Sequence, residues 1–258
     1  SAAAVLERRR EIGAEIESLE GAAESREDLE RRAAEALDEY RAVALELSER
    51  RAAWGGELVD SIHRELGELG LEKARMEVSL ERRRREGSPL TIDGEPVEPG
   101  REGVDQVVFL FAPNPGEEPQ PLARIASGGE LSRVSLGLQL ATRGDREASP
   151  TLIFDEVDTG IGGAQAAALG RKLRRLAASG QILAVTHLPQ VASYGHRHHR
   201  VVKTVEDERT ATSVAHLDGE DRVREVARML AGREVTELSL SHARELIEGA
   251  AEDERVAS

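Results

Sequence analysis

The chain has 258 residues, of which 33% are charged and 2% aromatic, with a formal net charge of −14 and no cysteine. Its length allows one sizeable core or two units, and its composition suits long solvated helices better than a single compact globule. The balance excludes a broadly basic surface for nucleic acid, a base-stacking aromatic platform, disulfides and thiolate metal sites, so DNA contact requires a local basic patch or another part of an assembly. The lack of cysteine fits the cytoplasm. No uncharged apolar run reaches membrane-spanning length and no secretory leader is visible, while the chain opens inside a helical pattern, as a piece of something longer would.

Residues 1 to about 66 read as a helical arm. Leu29, Ala33, Ala36, Tyr40, Val43 and Leu47 step by four and three, which is a heptad seam. Val5, Ile12, Ile16 and Leu19 form a similar stripe offset by three residues, with Gly21 between, which predicts a stammer or a break. Past Trp54 the steps become Leu58, Ile62 and Leu66, as where an arm enters a globular body. Glu, Arg and Ala fill the other positions, so the seam needs a cover, either a partner helix or the arm's own domain along its length. From Lys73 the period becomes two, and Ala74, Met76, Val78 and Leu80 predict a half-buried strand. Arg82 to Arg85 read as a solvated edge or a phosphate contact. Gly87 to Gly103 holds turns, Val107 to Phe111 reads as a buried strand, and Pro113, Pro115, Pro119 and Pro121 enforce an irregular loop.

Ser127, with Glu130 three residues later, forms a capping box that opens a helix striped by Val134, Leu136, Leu138 and Leu140. Gly128 and Gly129 weaken that first turn and make better sense if a bulky anion must approach its N–H groups. Leu152 to Phe154, entered from Ser149-Pro150 and left through a Gly-rich turn, predicts a strand buried on both faces. It ends in Asp155 and Glu156, at the edge where ligands gather in open α/β sheets. Two carboxylates there form an acidic turn or serve a cation or an activated water. Ala164 to Ala178 is a helix ended by Gly180, and Ile182 to Val185 is a second buried strand closing on Thr186-His187. The three together read as a right-handed parallel crossover. His187 therefore sits at the edge that holds Asp155 and Glu156, as a structural histidine or as a polar sensor. Arg200 to Val205 and Thr212 to Leu217 read as strands, followed by helices near Arg222 to Leu230 and Ser239 to Glu248. The tract His196-Arg197-His198-His199-Arg200 looks like a metal tract but lacks ligand spacing, and reads as surface.

Three stretches, LARIASGGELSRVSLGLQLA, TLIFDEVDTGIGG and ILAVTHLPQVAS, stand in this order behind a coiled-coil arm. Together they resemble the ABC-type ATPase heads of SMC-like chromosome-maintenance proteins, and among them the C-terminal half of the RecN family of bacterial DNA repair. The similarity runs from about Leu29 to the C-terminal helices. It implies an α/β fold, the C-terminal lobe of an ABC-type head, with a parallel sheet and flanking helices over 67–258. Residues 1–66 would be the returning helix of an antiparallel hairpin.

By that resemblance Ser127, Gly128 and Gly129, with Glu130, form the signature loop that meets ATP held by a second head, and Asp158 joins the nucleotide-contacting set. Asp155 is the Walker B carboxylate for Mg²⁺, Glu156 positions or deprotonates the attacking water, and His187 is the switch histidine. These roles agree with phosphoryl transfer, where positioning and charge neutralisation dominate. The implied partners are a second copy through ATP-sandwiched heads, DNA double-strand ends, and the chain's own N-terminal half, in the cytoplasm at the nucleoid. The implied process is double-strand-break repair and recombination. No G-x-x-x-x-G-K-[ST] occurs, so the phosphate cradle must lie in that N-terminal half and the fragment alone should hydrolyse no ATP. Gly162 stands where transporters usually carry Asp. The alternatives are a coiled-coil interaction module, or the head half of another coiled-coil chromosome ATPase or a transporter. Leu131-Ser132-Arg133 and Leu188-Pro189-Gln190 fit RecN better.

Overall fold

The computed structural model describes residues 2–125, 127–142, 149–206, 209–232 and 234–257. Within these, the side chains of 2–6, 11, 16–24, 149–150, 204–210, 254 and 256–257 are not described. Ala126 and the side chains of Val5, Ile16, Leu19, Ser149, Pro150 and Val205, named above, therefore lie outside the described residues. The chain divides into two compact units, one of 1–54 with 79–108 and one of 55–78 with 109–258.

Helix α1 (Ala2–Gly67) leads the chain. Its backbone is helical through Gly21, so the expected break there is absent. A proline-free run rich in Ala, Glu and Arg carries it, and i,i+4 pairs such as Arg26–Glu30 (2.8 Å) and Arg31–Glu35 (2.8 Å) each add roughly 0.3–0.5 kcal/mol.

In the first unit α1 packs on a short hairpin, β2 (Thr91–Ile92) and β3 (Glu95–Pro96). Asp93 (φ 54°) and Gly94 (φ 82°) form its turn, the Asp-Gly pair that a tight hairpin with two positive φ angles requires. Ala44, Leu90, Ile92, Val97 and Val104 are the core, with Leu37, Tyr40 and Leu45 against it. Tyr40 Oη donates to the Gly100 carbonyl (2.9 Å), and Ser48 Oγ donates to Asp105 (2.7 Å to Oδ2). The predicted seam thus divides. Tyr40 turns onto the unit's own core, while Leu29 and Val43 stay 59% and 61% exposed. The arginine run is largely paired, with Arg82 on Asp93 (2.7 Å), Arg83 on Gln106 (2.9 Å) and Arg84 on Glu95 (2.5 Å).

Strands β1 (Arg75–Arg82), β4 (Asp105–Ala112) and β5 (Gln120–Pro121) form one sheet in the order β1-β4-β5. In β4 burial rises along the strand, from exposed Val107 to buried Phe111 and Ala112.

In the second unit Leu58, Ile62 and Leu66 at the end of α1 join Met76, Phe111 and Val134 in one core. Helix α2 (Gly128–Thr142) links this core to a second, offering Val134 to the first and Leu136 to Leu69, Phe154, Val157, Leu169 and Val191. Strand β6 (Ser149–Phe154), helix α3 (Gly163–Ala177) and strand β7 (Gly180–Ala184) form the expected crossover. β6 and β7 pair in parallel, Leu152 opposite Ile182 and Phe154 opposite Ala184. The expectation of strands buried on both faces is corrected: Phe154 is covered, whereas Ile153, Leu183 and Val185 are 70%, 47% and 61% exposed. α3 covers one face and no described element covers the other.

Helix α4 (Pro189–Ser193), unpredicted, starts directly after His187-Leu188 with Pro at its first turn. Arg222 donates to the carbonyls of Ser193 and Gly195 (both 2.8 Å), closing its far end. The antiparallel strands β8 (His198–Glu206) and β9 (Arg209–Leu217) follow, then helices α5 (Gly219–Ala231) and α6 (Glu237–Ala257), which meet through Val226, Ala227 and Ala243. The α/β expectation is met in its parallel pair, flanking helices and long leading helix.

Two carboxylates tie this unit to pH. Burial pushes the Glu65 pKa up, but hydrogen bonds from Lys172 and Arg175 outweigh it and hold the group below its ordinary value. The Arg228 hydrogen bond lowers Glu225 against its own burial. Depressed folded-state values give stability that is complete above the ordinary carboxylate pKa of 4.5 and lost as pH falls through the folded values. Urea midpoints should therefore hold level at neutral pH and fall below about pH 4.5, and Glu65→Gln should flatten that fall. An acid limb of unchanged slope in Glu65→Gln would exclude this carboxylate as a source.

Candidate functional site

The predicted residues converge at the start of α2 and the carboxyl ends of β6 and β7, all within the second unit. Ser127 Oγ accepts the Glu130 N–H at 3.4 Å, and the Ser127 carbonyl accepts the Leu131 N–H at 3.1 Å. The capping serine is thus in place. Two residues on, Ser132 Oγ donates to the Asp155 carbonyl (2.8 Å), and Arg133 Nη1 donates to the Thr159 carbonyl (2.6 Å). Arg133 is 7% exposed and its Nε is buried without a partner. Burial depresses its pKa, with Glu130 opposing, yet a guanidinium keeps its charge.

The glycines have a use within the chain. A Cβ on Gly128 would lie 2.7 Å from Glu156 Oε2, and one on Gly129 would lie 3.0 Å from Thr159 Cβ and 3.2 Å from the Glu156 carbonyl. The helix start and the 155–159 turn approach closely because neither glycine has a side chain. The anion beside this positive helix end is the chain's own Glu156 carboxylate.

β6 ends at Phe154, and the next two carboxylates, Asp155 and Glu156, are exposed. Asp155 Oδ1 accepts the Glu156 N–H at 3.0 Å. Glu156 has φ 55°, a left-handed conformation that costs a residue with Cβ about 1 kcal/mol or more. Asp158 turns inward and is 3% exposed. Its Oδ2 accepts from Thr186 Oγ1 (2.5 Å) and the His187 N–H (3.0 Å), and lies 3.2 Å from His187 Nδ1. That contact favours the Nδ1–H tautomer of His187, whose side chain is 72% exposed.

Gly128 therefore meets Glu156, Gly129 meets Thr159, and Asp158 meets His187. Asp155 brings a single hard oxygen donor set. That fits Mg²⁺, which keeps several waters and takes one or two carboxylates plus phosphate oxygens. Among the described residues no three His, Asp or Glu side chains gather as a metal cage. Ser132, Arg133, Thr159 and Thr186 were not singled out for this site from sequence. The polar pair Ser132-Arg133 inside an apolar-striped helix was the one available signal.

No family model matches the chain. It is 39% identical over 244 residues to the DNA repair protein RecN of Haemophilus influenzae and 37% identical over 249 residues to that of Bacillus subtilis, each match covering 95% of the chain. To the RecN of Deinococcus radiodurans it is 46% identical over 192 residues, 74% of the chain. By sequence the chain matches RecN. It spans 41% and 43% of the Haemophilus and Bacillus proteins, so it corresponds to part of a RecN length. The RecN match reaches further than the stretch from Leu29 that the motifs suggest. Among solved structures, the Smc head domain with a coiled coil and joint from Pyrococcus yayanosii aligns at 14% identity and a TM-score of 0.42, over 66% of this chain and 28% of that one. No helix among the described residues is long and apolar enough to cross a membrane.

Proposed function

We propose that this chain is the acid-bearing lobe and arm of an SMC-like ATPase in DNA double-strand-break repair, active only with a phosphate-cradling N-terminal half. The observation that carries this reading is the convergence of three motifs on one turn, with the Gly-Gly helix start on one side, His187 on the other, and Asp155-Glu156 between. Asp155 would hold Mg²⁺. Glu156 would accept the proton of, or orient, the attacking water. His187, fixed through Asp158, would report on the γ-phosphate. Ser127, Gly128, Gly129 and Glu130 would meet the nucleotide of a second head. A γ-phosphate there would replace the Glu156 carboxylate at the helix start, so partner binding would free Glu156 for its own water.

The exposed apolar faces support an additional length of the same protein. Ile153, Leu183 and Val185 offer one side of β6 and β7, and Leu29, Val43 and Trp54 offer one stripe of α1. The N-terminal half would cover both, as neighbouring strands and as the outgoing helix of the arm. Domains at 1–66 and 67–258, a homodimer closed by ATP, capture of DNA ends and residence at the nucleoid belong to the same reading. The net charge of −14 speaks against a broadly basic DNA-facing surface on this portion.

The test supplies the N-terminal half in trans and compares steady-state ATP hydrolysis of the wild type and Glu156→Gln. Turnover should fall about 100-fold or more while ATP-dependent dimerisation persists. Unchanged turnover would remove the water-positioning role. An interaction module, the other reading, would self-associate equally with and without nucleotide.

A further inference from the structure

The histidine tract after α4 reads as surface by its spacing, and the pairing of β8 with β9 gives it a second half. The two strands pair over nine positions, from His198 opposite Leu217 to Glu206 opposite Arg209, which sets His199 directly across from His216. Both side chains are exposed. Their ring centres are 5.0 Å apart with the planes tilted by 46°. Exposed rings gain little by touching each other, and they are not stacked face to face. Two imidazoles sharing one ion, with metal–nitrogen bonds of about 2.1 Å and a tetrahedral-to-octahedral angle between them, hold their centres roughly 5 Å apart. His198 points to the opposite face, where its Nδ1 is buried without a partner, and so stands outside the pair.

We infer that His199 and His216 form a two-imidazole clip across β8 and β9 for a borderline divalent transition-metal ion such as Zn²⁺, Ni²⁺ or Cu²⁺. Imidazole nitrogens suit these ions and not Mg²⁺, so the clip is separate in chemistry from Asp155. Water completes the coordination, in keeping with the absence of any three-residue cluster among the described residues. Val201 and Val214, the next pair on this face, are 61% and 65% exposed, so the ion has open access. A two-stranded ribbon is marginal alone, and a bound ion would staple it at the end where the chain enters from α4.

The chain, freed of any affinity tag, is titrated with Zn²⁺ by calorimetry, and with Cu²⁺ under electron paramagnetic resonance. A single ion should bind, with two nitrogen couplings in the Cu²⁺ spectrum. His199→Ala and His216→Ala should each weaken binding roughly tenfold or more, since even outer-shell changes at metal sites cost 10–100-fold. Both positions are exposed on strands, so circular dichroism should show the fold intact. His196→Ala should bind as wild type. No binding by the wild type, or binding that survives both strand variants and is lost in His196→Ala, overturns the clip.

Discussion

Asp158→Ala should destabilise the second unit by about 2–4 kcal/mol, read as a lower urea midpoint with unchanged slope. The carboxylate is 3% exposed and serves Thr186 Oγ1, the His187 N–H and His187 Nδ1 through one oxygen. Alanine removes that acceptor and leaves a backbone N–H and a hydroxyl facing a small void, and leaving a buried donor unmet costs about 1–3 kcal/mol. Asp158→Asn keeps an oxygen at the same place, so it should recover most of the loss. Hydrogen exchange at the His187 amide gives a local reading, fast in the alanine variant and slow in the asparagine one. A midpoint shift worth under about 1 kcal/mol in Asp158→Ala would show that water replaces the carboxylate, and the link from the turn to His187 would fail.

How much of this was visible in the sequence depends on what each feature needs. Periodicity located α2, α3, the β6–β7 crossover and the separate strands β8 and β9 to within a few residues, because apolar spacing is a local property. It misjudged coverage. Ile153 and Leu183 are apolar and stand on strands, yet they are exposed, because burial depends on what packs against a face and spacing along one strand does not encode that. Leu29 and Val43 on the heptad seam are exposed too, and their spacing does not say what, if anything, covers them. Tyr40 stands on that seam by spacing, yet its hydroxyl donates to the Gly100 carbonyl, a long-range contact that no helical pattern encodes. At the site, residue types and order single out Asp155, Glu156 and His187, and the parallel pairing of β6 with β7 places them at the same strand ends. The burial of Asp158, the clamp of Ser132 and Arg133 on the turn, and the left-handed backbone of Glu156 arise only when α2 and β6 are brought together.

Gly128 and Gly129 should respond differently to one added methyl group, and the difference separates packing from anion binding. Gly128→Ala meets only the far end of the Glu156 side chain, at 2.7 Å from Oε2. That carboxylate can swing aside, and alanine is a better helix former by about 1 kcal/mol, so stability should hold or rise slightly. Gly129→Ala meets Thr159 Cβ at 3.0 Å and the Glu156 carbonyl at 3.2 Å, both held by the turn that Arg133 and Ser132 grip. Overpacking against such neighbours costs about 1–3 kcal/mol, more than the helix gain returns. A cycle with Glu156→Ala sharpens the contrast: it should couple to Gly128→Ala, by relieving the only close contact, and leave the cost of Gly129→Ala in place. Equal midpoints for the two glycine variants would mean that the turn yields to either methyl. In that case close approach to Glu156 and Thr159 would not be what requires glycine at these positions.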